Sequence, residues 1–412
     1  MVNIEEIKLN GKKINLLISA LLVSLILYDF LSQGDIFKDN FFYSGQTLFS
    51  DLVVIIPNLE ELSKWNLFDS EKISSTELFN RKMNYPIIWV YIFHLISLFG
   101  NPVIILGISQ LIIYIFFAKI ILLQVKENFY LYLFILFSPP ILLMLERGNM
   151  DCIVFFLLLF SFLSKNYLSG VLIGIAASLK VYPIFILPFY FFFKKFNKKF
   201  FIGFAITLPL IFWTFLQLNT LIGQTPISFS TSFGIYSFAL LIVKILKEVF
   251  SISVEKNFIF YFYLISFFIF ILLSLIVNYF LKKDVNRILE VLERNKQNLM
   301  IYILSSTTTI LIFFAFSNWA YRIVFLLPST IIYLNNFKNF FDYPKNLFYL
   351  LLMITPFFFP WIVSTTDKSL IILNFHAWAF YSIAVYISFV FYFVISMNFY
   401  FKKIKIFLNF NK

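Results

Sequence analysis

"LMLERGNMDCIVFF" (143–156) places Glu146, Arg147, Asn149 and Asp151 between two apolar runs. An ionisable side chain in such surroundings is expensive unless paired or bathed in water, so each is a candidate functional group. Gly148 and Asn149 suit a tight turn, which makes this the point where one helix ends and the next begins. A polar cap at a helix N-terminus is enough to account for Asp151. It requires neither Arg147 nor Glu146.

The rest of the chain sharpens the problem. Of 412 residues, 61% are hydrophobic and 13% charged, and mean hydropathy is +0.88. Soluble domains carry roughly 25% charged residues, so the composition is that of a polytopic membrane protein. The net charge of +12 lies in short clusters between apolar runs, a pattern of inserted proteins that argues against a nucleic-acid partner. A single cysteine, Cys152, allows no intramolecular disulfide and no paired metal site. His94 and His376 are the two histidines, too few for histidine-based catalysis or a multi-histidine metal site. Phosphate-loop, dinucleotide-binding, H-E-x-x-H and G-x-S-x-G motifs are absent.

Basic clusters mark the expected cytoplasmic side: Lys8, Lys12 and Lys13; Lys194, Lys195, Lys198 and Lys199; Lys282, Lys283, Arg287, Arg294 and Lys296; Lys338 and Lys345; Lys402, Lys403 and Lys405. Residues 14–32 read as a retained first helix and 33–84 as an acidic first outer (periplasmic) loop. Segments 85–100, 102–124, 128–146, 150–164, 167–182 and 183–193 follow, with 85–100 expected to be short, re-entrant or fused to its neighbour. Spans near 258–281, 299–316, 322–335, 347–363 and 376–401 complete a single transmembrane domain over 1–412. Residues 237–250, interrupted by Lys244, Lys247 and Glu248, suit an interfacial helix. The count is about 11 to 13 crossings with both termini inside.

This topology puts three turns on the outer side, each with one cation: Arg147; Lys180 in "SLKVYPIFILP" (178–188); and Arg322 in "FSNWAYRIVFLLP" (316–328). Cations outside run against the charge bias of inserted proteins, and three together suggest a bound anion, a phosphate above all. In the outer loop, "FSDL" (49–52) offers Asp51, a carboxylate suited to general-base work on a hydroxyl. In the segment 167–182, Gly170, Gly174, Ala176 and Ala177 permit close approach of a neighbour.

Arg147-Gly148-Asn149-Met150-Asp151, Lys180-Val181-Tyr182-Pro183 and Asn318-Trp319-Ala320-Tyr321-Arg322 together resemble the bacterial polyprenyl-phosphate-dependent glycosyltransferases of family 87, mannosyltransferase-like enzymes of the GT-C type. The "FSDL" and "MNYPIIW" (83–89) segments are similar to elements of the family's first outer loop. The resemblance implies an all-α polytopic GT-C fold with a large first outer loop, in the bacterial inner membrane, its active site on the outer face. It implies an inverting transfer of a sugar from a polyprenyl-phosphate donor to a glycan or glycolipid hydroxyl. Asp51 is then the base, and Arg147, Lys180 and Arg322 bind the phosphate. Glu146, Asn149, Asp151, Tyr182, Asn318 and Tyr321 support them or bind sugar. No cofactor is certain; a divalent metal stays open, since the acidic pair of better-known relatives is missing near Asp51. A lipid-linked-sugar flippase or another transporter is the competing reading, and a surface-polysaccharide polymerase or ligase a further one. Transporters tend to show repeats and midplane breaks, whereas these charges lie at span ends.

Overall fold

The computed structural model describes residues 49, 51–52, 85–86, 88–125, 127–193, 197–218, 232–252, 256–314, 318–358 and 371–410. The expected first helix (14–32) lies outside them, as does the 33–84 loop apart from Phe49, Asp51 and Leu52.

Proline and glycine divide the first half into short helices: α1 (Ile88–Ser97), α2 (Pro102–Gln124), α3 (Phe129–Leu136), α4 (Pro139–Glu146), α5 (Asp151–Leu163) and α6 (Asn166–Leu179). A 3-10 turn, Tyr182–Ile186, leads into α7 (Leu187–Tyr190), and α8 (Lys198–Ile206) and α9 (Leu208–Leu216) follow. Proline tolerates the first turn of a helix but not its interior, so each Pro pair or Leu-Pro step starts a new one. At Pro139-Pro140, α3 and α4 bend by 42°, and α8 and α9 bend by 49° around Thr207. Segment 85–100 is short, as expected: ten helical residues.

In the second half, α10 (Ile235–Phe250) precedes two long helices, α11 (Lys256–Glu293) and α12 (Lys296–Phe314). A 3-10 helix, Ala320–Leu326, feeds α13 (Leu327–Asn335), followed by α14 (Phe337–Phe340), α15 (Tyr343–Ile354), a 3-10 turn (Thr355–Phe358) and α16 (Ile371–Phe410). One two-residue ladder, β1 (Ser232–Phe233) with β2 (Asn318–Trp319), ties the start of α10 to the Arg322 turn. The chain is an all-α polytopic membrane protein.

Four described helices are long and apolar enough to cross a membrane, or up to six if each bent pair is one span. Four more apolar helices are shorter, so the described residues fall below the expected count. A second correction concerns length. The helix expected to stop at 281 runs on to Glu293, 38 residues and about 57 Å, well past a ~30 Å hydrocarbon core. Lys, Arg and Glu are good helix formers, so the basic cluster prolongs the helix into water instead of ending it.

Three of the basic clusters meet at one end of the bundle: Lys345 pairs with Asp284 at 2.7 Å, Lys402 with Glu293 at 2.7 Å, and Arg287 lies over the Phe341 ring. Between these ends α12 is the hub, touching α5, α11, α13, α16 and both of the longer 3-10 segments. By contrast α11 exposes Phe260, Phe268, Leu272, Leu275 and Ile276, a lipid-facing surface. Glycine makes the tightest seam. A Cβ on Gly170 would run into the Phe200 carbonyl of α8, one on Gly203 into the Tyr167 carbonyl of α6, and one on Gly174 into Thr207. Small residues four apart let the α6 and α8 backbones touch.

Candidate active site

The "ERGNMD" turn is a helix stop and a helix start fused together. At the end of α4, Gly148 has φ +59; its N–H donates to the Leu145 carbonyl at 3.1 Å, and the Asn149 N–H to the Met144 carbonyl at 3.0 Å. This is the Schellman pattern, which needs a residue free to adopt positive φ. Asn149 then begins α5: its Oδ1 accepts the Asp151 N–H at 2.8 Å. Behind the turn, the Gln110 Nε2 of α2 donates to the Gly148 carbonyl at 3.2 Å.

The segment that carries Phe49, Asp51 and Leu52 docks onto this turn through its backbone. The Phe49 N–H donates to the Glu146 carbonyl at 2.7 Å and the Asp51 N–H to the Arg147 carbonyl at 3.0 Å. Leu52 and Phe49 fill the space over Gly148, where a Cβ would stand 2.8 Å from the Leu52 Cδ1. Docking aims the Asp51 carboxylate at the turn. Its Oδ1 accepts from Arg147 Nε at 2.9 Å and Nη2 at 2.6 Å, and its Oδ2 accepts from Asn149 Nδ2 at 2.6 Å.

A second carboxylate lies beside the first. Asp151, fully buried, takes the Tyr182 hydroxyl at 2.8 Å on Oδ1 and Arg322 Nε at 3.0 Å on Oδ2. The Lys180 ammonium stands 3.5 Å from Oδ1. Trp89 of α1 pins the approach to Lys180, donating its indole N–H to the Leu179 carbonyl at 3.1 Å. Tyr85 bridges the two sets: its hydroxyl accepts from Asn149 at 3.3 Å, and the Lys180 ammonium sits 4.2 Å above its ring.

Thus Arg147, Lys180 and Arg322 do converge, together with Asp51, Asn149, Asp151 and Tyr182, although Asp51 and Arg147 are 96 residues apart and Asp151 and Arg322 171 apart. Each cation meets a carboxylate, a point no local motif shows. Glu146 is buried on α4 beside them. Asn318 enters through its backbone, paired with Phe233, and Tyr321 lies within the 3-10 helix that carries Arg322; their side chains are outside the described residues. Among the described residues no group of three or more His, Cys, Asp or Glu is placed to hold a metal ion.

Tyr85 and Gln110 complete the cluster: the sequence reading marked the "MNYPIIW" segment that holds Tyr85 without giving that residue a role, and missed Gln110. The signal for Gln110 was there: an amide in the middle of the apolar run 102–124, as conspicuous in lipid as a charge.

The fold and this cluster define a class: a polytopic membrane protein with a buried set of paired charges where several short helices meet. Residues 84–231 match the model of glycosyltransferase family 87. The matched stretch, about a third of the chain, contains Arg147, Asn149, Asp151, Lys180 and Tyr182 and excludes Asp51 and Arg322. The match supports a glycosyltransferase. No curated protein and no solved structure matches the chain.

Proposed function

We propose that the chain is a glycosyltransferase that moves a sugar from a polyprenyl-phosphate donor to an acceptor hydroxyl at the outer face of a membrane, with inversion at the anomeric carbon. The observation that carries this reading is the meeting of Asp51, Arg147, Asp151, Lys180 and Arg322 in one buried cluster.

The two carboxylates suit different tasks. Asp151 is wholly buried and spoken for on both oxygens by Tyr182, Lys180 and Arg322. Asp51 keeps slight exposure, and its Oδ2 accepts one bond, from Asn149, leaving a lone pair for an acceptor hydroxyl. Asp51 takes that proton as the hydroxyl oxygen forms its bond to the anomeric carbon. The bond from that carbon to the phosphate oxygen breaks, and the electron pair leaves with the polyprenyl phosphate.

Lys180 and Arg322 answer the charge that develops on the departing phosphate. Lys180 is the more readily diverted of the two, because 3.5 Å from Asp151 is a loose contact. Arg147, with Nε and Nη2 both on Asp51, holds the base in place. It thereby takes a different task from the phosphate ligand the sequence suggests. The lipid tail lies among the apolar helix faces beside the cluster.

In a transfer assay with purified full-length chain and polyprenyl-phosphate sugars, Asp51→Asn is expected to lower the rate about 10²- to 10⁴-fold, the usual worth of a positioned base. Full activity in that variant would reject the assignment of Asp51. Transport of labelled lipid across vesicles, with no sugar ever consumed, would reject the transferase itself.

A further inference from the structure

Away from the charge cluster, the interior between α12, α13, α15 and α16 is rich in hydroxyls, and the fold satisfies most of them locally. Ser306 and Thr308 donate back to the carbonyls of Tyr302 and Leu304, and Thr309 to that of Ser305. Ser305 reaches the Phe325 carbonyl, Ser329 the Tyr302 carbonyl, and Thr307 meets the Tyr400 hydroxyl at 2.9 Å. Thr330 and the Tyr392 hydroxyl are 3.0 Å apart, and Tyr392 also donates to the Met353 carbonyl at 3.2 Å.

Three hydroxyls in this region break the pattern. Tyr302, Tyr333 and Ser396 are all buried, and none of their hydroxyl oxygens has a hydrogen-bond partner among the described residues. They lie in the same part of the bundle. The Tyr302 and Tyr392 rings are 6.4 Å apart, Tyr333 is an electrostatic neighbour of both, and Ser396 lies one helical turn beyond Tyr392 on the same face of α16. A lone unpaired phenol could be an accident of packing. Two phenols and a serine left unpaired in one part of the bundle, where nearly every other described hydroxyl is bonded, call for a further partner.

We infer that the space between Tyr302, Tyr333, Tyr392 and Ser396 is a binding site for water, held inside the bundle. Water fits because it both donates and accepts, as hydroxyls require, and because two to four polar groups around one point are what a buried water needs. The four described side chains that bound it are all uncharged, so none calls for an ion. A polar route leads outward: Tyr349, an electrostatic neighbour of Tyr333, donates to Asp284 at 2.5 Å, and Asp284 pairs with the exposed Lys345.

Radiolytic hydroxyl-radical labelling of the purified full-length chain tests this, because tyrosines beside bound water are modified even when buried. Tyr114 is the internal control: it is equally buried, and its hydroxyl is bonded to the Leu136 carbonyl at 2.6 Å. Tyr302 and Tyr333 are expected to label several-fold faster than Tyr114. Labelling no faster than Tyr114 overturns the site. Tyr302→Phe and Tyr333→Phe give an independent reading. If the hydroxyls are bonded to water, neither variant melts higher than wild type; if the space is dry, removing an unpaired hydroxyl raises the melting midpoint, and such a rise overturns the site.

Discussion

Among the described residues the ion pairs form two sets, one at each end of α12, both of basic and acidic side chains and differing in depth. In the set by "ERGNMD" the side chains of Asp51, Arg147, Asp151, Lys180 and Arg322 are all 15% exposed or less. At the basic end, Lys338–Glu127, Lys345–Asp284 and Lys402–Glu293 keep lysines that are 47–73% exposed. Water and salt screen the second set, so each pair contributes little. In the first set, removing one charge strands another in a dry interior, and the whole cluster stands or falls together.

The sharpest way to break this comparison is Asp151→Ala. It leaves Lys180 and Arg322 buried without their counter-charge, and should destabilise the fold by about 3–5 kcal/mol. A thermal melt in detergent reads this, as does the yield of folded chain. Gly148→Ala comes next. It forces an alanine to φ +59 and presses a Cβ toward Leu52, for about 1–2 kcal/mol from the backbone alone. Transfer activity should fall further than stability, since the Asp51 segment docks there.

Tyr85→Phe removes the hydroxyl that accepts from Asn149 and keeps the ring under Lys180. The expected loss is about 0.5–1.5 kcal/mol by the same melt. The smallest effect belongs to Lys402→Ala, about 0.2–1 kcal/mol and fading with added salt. Should Lys402→Ala destabilise as much as Asp151→Ala, depth would not be what separates the two sets.

Local chemistry was easy to read in the sequence. The helix reversal at Gly148-Asn149, the proline breaks, the small-residue seam at Gly170 and Gly174 and the three outlying cations all follow from short-range rules. The pairings did not follow. Which carboxylate meets Arg147 is decided by the Asp51 segment packing onto a turn 96 residues away, through backbone bonds that leave no trace in composition. Asp151 looked like a cap and turned out to gather two cations and a tyrosine. Helix ends were misjudged where charge began, because a charged helix in water and a loop in water share one composition.

The 3-10 helix at Ala320–Leu326 has a consequence of reach. A 3-10 turn climbs about 2.0 Å per residue where an α-helix climbs 1.5 Å. From Leu326, where α13 anchors the chain, back to Arg322 are five residues. Over the four steps between those two residues, winding into an α-helix would draw the Arg322 backbone in by about 2 Å. Its Nε lies 3.0 Å from Asp151, so such a retraction would part the pair. The placement of this guanidinium is therefore a matter of pitch: a slightly stretched coil of seven residues measures out the distance at which Arg322 meets Asp151.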